Sequence, residues 1–127
     1  VVTAKLAGIR TLPQPGRKIP IWVGGVSAPA RRRAMALGDG WHGTRVPVED
    51  IGAMTAELRA VRGPDFPLTM RVFWDPFEDD HDMIKATTQA YADAGIDGLI
   101  MEPRQRGLDD WLRAVEELWK LMRPWRG

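Results

Sequence analysis

Few residues in this chain are equipped for chemistry, and they fall into three groups. Gly24-Gly25-Val26-Ser27 follows directly on Val23, the end of an apolar run that starts at Ile19. Paired glycines let a ligand approach the backbone, and free N–H groups at a helix start attract an anion. The plainer alternative is a tight strand-to-helix turn with Ser27 as a helix cap. Trp41-His42 is the second group. His42 can donate to a ligand or move a proton near neutral pH, and Trp41 can wall a pocket. Alternatively, Trp41 anchors a core and His42 bonds a neighbouring loop. Arg71 and Glu102 form the third group, charges set in apolar segments. Arg71 suits an anionic substrate group, unless the two residues satisfy one another as an ion pair.

Other clusters read as structure. Arg31-Arg32-Arg33 fans about 200° around a helix, so it offers no single basic face. A solvated surface is expected there, with Arg33, beside an apolar stripe, partly buried and paired. Asp79-Asp80-His81-Asp82 lacks metal-ligand spacing and stands where a helix start favours acids, so no metal site is expected. The stripe through Trp111 and Trp119 reads as helix-to-sheet packing.

Composition narrows the classes. The 127 residues carry 18 Lys+Arg against 17 Asp+Glu, a net charge of +1, which argues against a nucleic-acid binder held by charge. The absence of Cys excludes disulfides and thiolate catalysis. No apolar run approaches the ~18 residues of a membrane span. Val1–Lys5 lacks the order of a signal peptide, so a soluble, cytoplasmic domain is expected. Hydrophobic residues at 44%, six Trp among them, require a packed interior.

The elements that must position these residues alternate regularly. Residues 1–18 read as an extended lead-in, 19–123 as one domain and 124–127 as a tail. Ile19–Val23 reads as a strand buried on both faces. A helix capped by Ser27 runs to Gly38 on an Ala30, Ala34, Leu37 stripe, and Gly40–Gly43 is a short strand. Pro47, Glu49 and Asp50 open a second helix, which Gly63-Pro64 stops. Leu68–Trp74 alternates as a strand with Leu68, Met70, Val72 and Trp74 on one face and Thr69, Arg71 and Phe73 on the other. A third helix ends at Gly95, 96–101 is a fourth strand, and 108–122 is a last helix with Leu108, Trp111, Leu112, Val115, Leu118, Trp119 and Met122 as its apolar stripe.

Four strand-helix units in series predict an α/β fold with parallel strands. An Arg on one strand face suits the interior of a TIM (β/α)8 barrel better than a face covered by helices. The expectation is therefore four consecutive βα units forming half of such a barrel. A half-barrel leaves its concave face and two edges open, which predicts a homo-oligomer or a missing N-terminal half.

Pro20-Ile21-Trp22-Val23-Gly24-Gly25-Val26-Ser27, then Arg32-Arg33-Ala34 and Leu37-Gly38-Asp39-Gly40-Trp41, resembles the luciferase-like monooxygenase family, its deazaflavin-dependent members above all. The resemblance covers about residues 13–122 and matches the C-terminal half of the family's barrel. It implies an oxidoreductase acting on a small molecule through FMN or a deazaflavin coenzyme. It further implies that Val23, Gly24, Gly25, Val26 and Ser27 hold the coenzyme phosphate; the barrel reading itself sets Trp41, His42, Arg71 and Glu102 as the substrate side. The alternative is a non-catalytic half-barrel that self-associates or completes a partner's barrel.

Overall fold

The computed structural model describes residues 15–125. Residues 1–14, which hold most of the expected lead-in and the Val1–Lys5 segment, lie outside the described residues, as do 126 and 127 of the tail. Strands and helices alternate as β1 (Trp22–Gly24), α1 (Ala28–Leu37), β2 (Gly40–Thr44), α2 (Val48–Arg62), β3 (Leu68–Trp74), α3 (His81–Asp93), β4 (Gly98–Pro103) and α4 (Leu108–Leu121). A 3-10 turn, Arg123–Trp125, follows. The strands lie in the order β1-β2-β3-β4, all parallel. This is the α/β array of four βα units that the alternation predicts, consistent with half a TIM barrel.

Local signals place the elements. The Ser27 hydroxyl accepts the Ala30 N–H at 3.4 Å and caps α1. Glu49 and Asp50 start α2 and Arg59 and Arg62 end it, each sign matched to the helix dipole. Arg62 also donates to the Met35 and Gly38 carbonyls at 3.1 and 2.7 Å, closing the C-terminal end of α1. Asp80 caps α3 through the Met83 N–H at 2.7 Å.

The two faces of the sheet differ. On β3, Leu68, Met70, Val72 and Trp74 are buried, while Thr69, Arg71 and Phe73 are half-buried, as their alternation predicts. Trp41, Ile51, Leu58, Leu68, Met70 and Ile84 are the largest fully buried side chains and form the centre of the core. The opposite face is open.

Four expectations are corrected. The first strand is not buried on both faces: Ile21 and Trp22 are 56% and 45% exposed. It is an edge strand, and nothing among the described residues covers its open side. The fourth strand starts at Gly98 rather than residue 96. Ile96 instead turns its side chain into the core, and its N–H donates to the Tyr91 carbonyl at 3.0 Å. On α1, Leu37 and Arg33 are exposed, and Arg31 is the arginine that is held. Its Nε donates to Glu57 at 2.6 Å and its Nη1 to the Val26 carbonyl at 2.6 Å, because α2 runs beside that flank of α1. Finally, only part of the α4 stripe meets the sheet: Leu118 and Met122 are buried, whereas Leu108 is 72% and Leu112 48% exposed. Each earlier helix has a further strand beside its own; among the described residues α4 has none.

Candidate functional site

Parallel register lines up the open-face residues in rows. Trp22 stands opposite Gly40; one step on, Gly24, His42, Thr69 and Gly98 share a row. The next row holds Thr44, Arg71 and Ile100, and the last pairs Phe73 with Glu102. Rows are two residues apart, about 7 Å along the strands. The register thus brings Gly24 beside His42, and Arg71 beside the row of Glu102, toward the carboxyl ends of the strands.

Trp41 is not among them. Neighbouring strand residues point to opposite faces, and Trp41 is fully buried on the helix side, beside Leu68. It is the core anchor, not a pocket wall. It still touches the site indirectly, because its indole Nε1 donates to the Gly25 carbonyl at 2.8 Å.

The Gly24–Ser27 loop is fixed from several sides. The Gly25 N–H donates to the His42 carbonyl at 3.1 Å, and Arg31 holds the Val26 carbonyl. Gly25 has φ 113°, a backbone region that side chains disfavour. The Val26 and Ser27 N–H groups donate to no acceptor among the described residues, immediately before α1. Two free donors at a helix start are an arrangement that can accept an anion. Ser27 caps the helix as well, so the two readings of this loop are compatible. Val23 points to the helix side and offers only its backbone.

His42 is half-buried, and its Nδ1 lies 2.9 Å from the Thr69 hydroxyl. Burial, and then the charge of Arg71, push its pKa below the usual 6.5. The ring is therefore neutral at pH 7. Its Nε2 has no partner among the described residues and is available to a ligand. Arg71 and Glu102 form the ion pair considered from the sequence, both partly exposed on the open face.

The residue that sequence reasoning missed is Arg45. It follows β2 directly and holds φ 54°, the left-handed region. Its guanidinium lies 4.6 Å from the centre of the Phe73 ring, and that of Arg71 lies 5.0 Å from the same ring. The Arg45 N–H donates to the Arg71 carbonyl at 3.4 Å, and the Tyr91 hydroxyl donates to the Val46 carbonyl at 2.7 Å. Proximity to Phe73 depends on register, which no local pattern reveals. Relieving this backbone has a measurable effect: Arg45→Gly is expected to raise stability by up to about 1 kcal/mol in urea unfolding. A loss of that size would show that the side chain contributes more than the strain costs.

The aspartates after β3 each have a structural task. Asp79 accepts the Asp75 N–H and pairs with Arg104, both at 2.7 Å, Asp80 caps α3, and Asp82 pairs with Lys85 at 3.1 Å. No group of three or more His, Asp or Glu that could hold a metal exists among the described residues. Among them, too, no helix is long and apolar enough to cross a membrane.

A family model described as luciferase-like monooxygenase matches residues 2–118. Searches of curated proteins and of solved structures return no match.

Proposed function

Because this chain belongs to the luciferase-like monooxygenase family, oxidoreductases that generally use reduced flavin, we propose that it is the phosphate-binding wall of an FMN- or deazaflavin-dependent enzyme. The observation that carries this reading is the pair of free N–H donors at Val26 and Ser27 beside a glycine in the left-handed region. The coenzyme phosphate is assigned to the backbone of Val23–Ser27. When bound, the coenzyme supplies hydride transfer or oxygen activation, and the protein holds and orients it.

The chain's own residues then have distinct tasks on the open face. His42, held by Thr69 and kept neutral by burial, offers Nε2 as a hydrogen-bond acceptor or donor to a small-molecule substrate. Arg71 and Glu102 supply charge one to two rows further toward the carboxyl end. Titration with reduced FMN and with a deazaflavin coenzyme, read by absorbance and fluorescence, tests the reading. A saturable change with one of them is expected; no response to either removes the enzyme assignment for this chain.

A second reading, a half-barrel whose task is assembly, has its own observation. Leu108, Trp111 and Leu112 on α4 are exposed on an apolar stripe. An apolar cavity of about 380 Å³ also remains between α3, β4 and α4. Both features support a further βα unit beside β4, from an N-terminal half-barrel or a second copy of this chain. Sedimentation of the chain alone is expected to report a dimer or larger species. A folded monomer at micromolar concentration would leave the N-terminal half as the complement.

A further inference from the structure

We infer that Arg45 and Arg71 form a recognition pair for a carboxylate group on the substrate. The inference rests on the open face being the substrate side, and it adds the substrate's chemical class. Both guanidiniums lie beside one ring, 4.6 and 5.0 Å from the centre of Phe73. Cation–π contact with Phe73 offsets part of each charge, and an anion offsets the rest. Glu102 pairs with Arg71, and no carboxylate among the described residues pairs with Arg45. Burial, and then the charge of Glu49, push the Tyr91 hydroxyl pKa up, yet Glu49 pairs with neither arginine. One positive charge is left over.

The backbone that carries this charge is held in place. Arg45 keeps a strained backbone at φ 54°, fixed on one side by the Arg71 carbonyl and on the other by Tyr91 through Val46. Such strain survives where the surroundings over-determine it, and it concentrates at sites that bind. The two arginines, Phe73 and Trp74 border an open cleft of about 410 Å³, enough for a small molecule. A single surplus charge matches a carboxylate better than a doubly ionised phosphate, and the planar guanidinium fork fits two carboxylate oxygens. Val46, Pro47 and Trp74 line the cleft with apolar surface beside the charges, so an aromatic or aliphatic acid is the ligand class.

Benzoate, benzyl alcohol and inorganic phosphate, titrated at constant ionic strength and followed by backbone amide NMR, test this. Benzoate is expected to saturate in the millimolar range and to shift residues 44–46 and 71–73. Benzyl alcohol is expected to bind at least tenfold more weakly. Arg45→Gly should lose tenfold or more of the benzoate affinity while its unfolding midpoint holds or rises, which separates recognition from a structural role. Arg45→Lys should fall between. Equal responses to benzoate and benzyl alcohol, tighter binding of phosphate, or benzoate affinity within twofold in Arg45→Gly would each overturn the inference. Gly24→Val is expected to keep benzoate binding while losing the coenzyme, so failure of this pair and failure of the phosphate loop are told apart.

Discussion

Replacing Gly24 by Val is expected to lower coenzyme affinity at least about 100-fold, roughly 2.7 kcal/mol, with little change in the unfolding midpoint. The reason lies in where a side chain at this position points. Gly24 is on the open face in the row of His42, and an added Cβ there meets only the His42 carbonyl oxygen at 3.9 Å, an ordinary contact. Val is a good strand residue, so β1 accepts it. On the proposed reading, its methyl groups crowd the open side of the loop that the phosphate would approach. Gly25 is a poorer test. At φ 113°, with the Ala30 Cβ 3.0 Å from an added Cβ, any side chain strains the fold itself. Coenzyme titration of Gly24→Val alongside urea unfolding gives the answer. Undiminished affinity in a folded variant would remove the phosphate from this loop.

Trp41→Ala is expected to cost about 3–5 kcal/mol, enough to unfold much of the population of a domain with ordinary stability. Trp41 is fully buried, and the fit around it is close: an added Cβ on Gly43 would lie 2.4 Å from its ring and 2.6 Å from the Met70 methyl. The void left by removing the indole cannot be filled by small movements of such neighbours. The change also leaves the Gly25 carbonyl without its donor, so the loop before α1 loses a support. Trp41→Phe divides the two contributions. It keeps an aromatic ring in the core but loses the N–H and part of the fused ring, so an intermediate cost of about 1–3 kcal/mol is expected, together with weaker coenzyme binding. Far-ultraviolet circular dichroism through urea unfolding measures both. A cost below about 1 kcal/mol for Trp41→Ala would contradict its place at the centre of the core.

Much of the fold was legible before any coordinates. Gly63-Pro64 and Gly95 mark helix ends, and the alternation in Leu68–Trp74 sorts one buried face from one open face. The strand-to-helix turn at Gly24–Ser27 was legible too, since a glycine pair between an apolar run and a capping Ser is a local pattern. Trp41 shows a signal that was present but not followed: it adjoins His42 in a strand, so the two cannot line the same surface. The errors on β1 and α4 have a different origin. Apolar composition says that a residue can be buried, not that a neighbour arrives to bury it. Ile21, Trp22 and Leu108 remain exposed because they stand at the two edges of the array.

Periodicity, caps and glycine punctuation act over a few residues, so the sequence alone determined the element order, the parallel sheet and the glycine turn before α1. Which side chains meet is decided by pairing between strands that lie far apart in the chain, such as His42 with Thr69 and Arg71 with Ile100. Only the tertiary structure could therefore place His42 against Thr69, join Arg71 to Glu102, and bring Arg45 to the ring of Phe73. Strand register is a long-range choice set by how the whole core packs, and no short window of residues contains it.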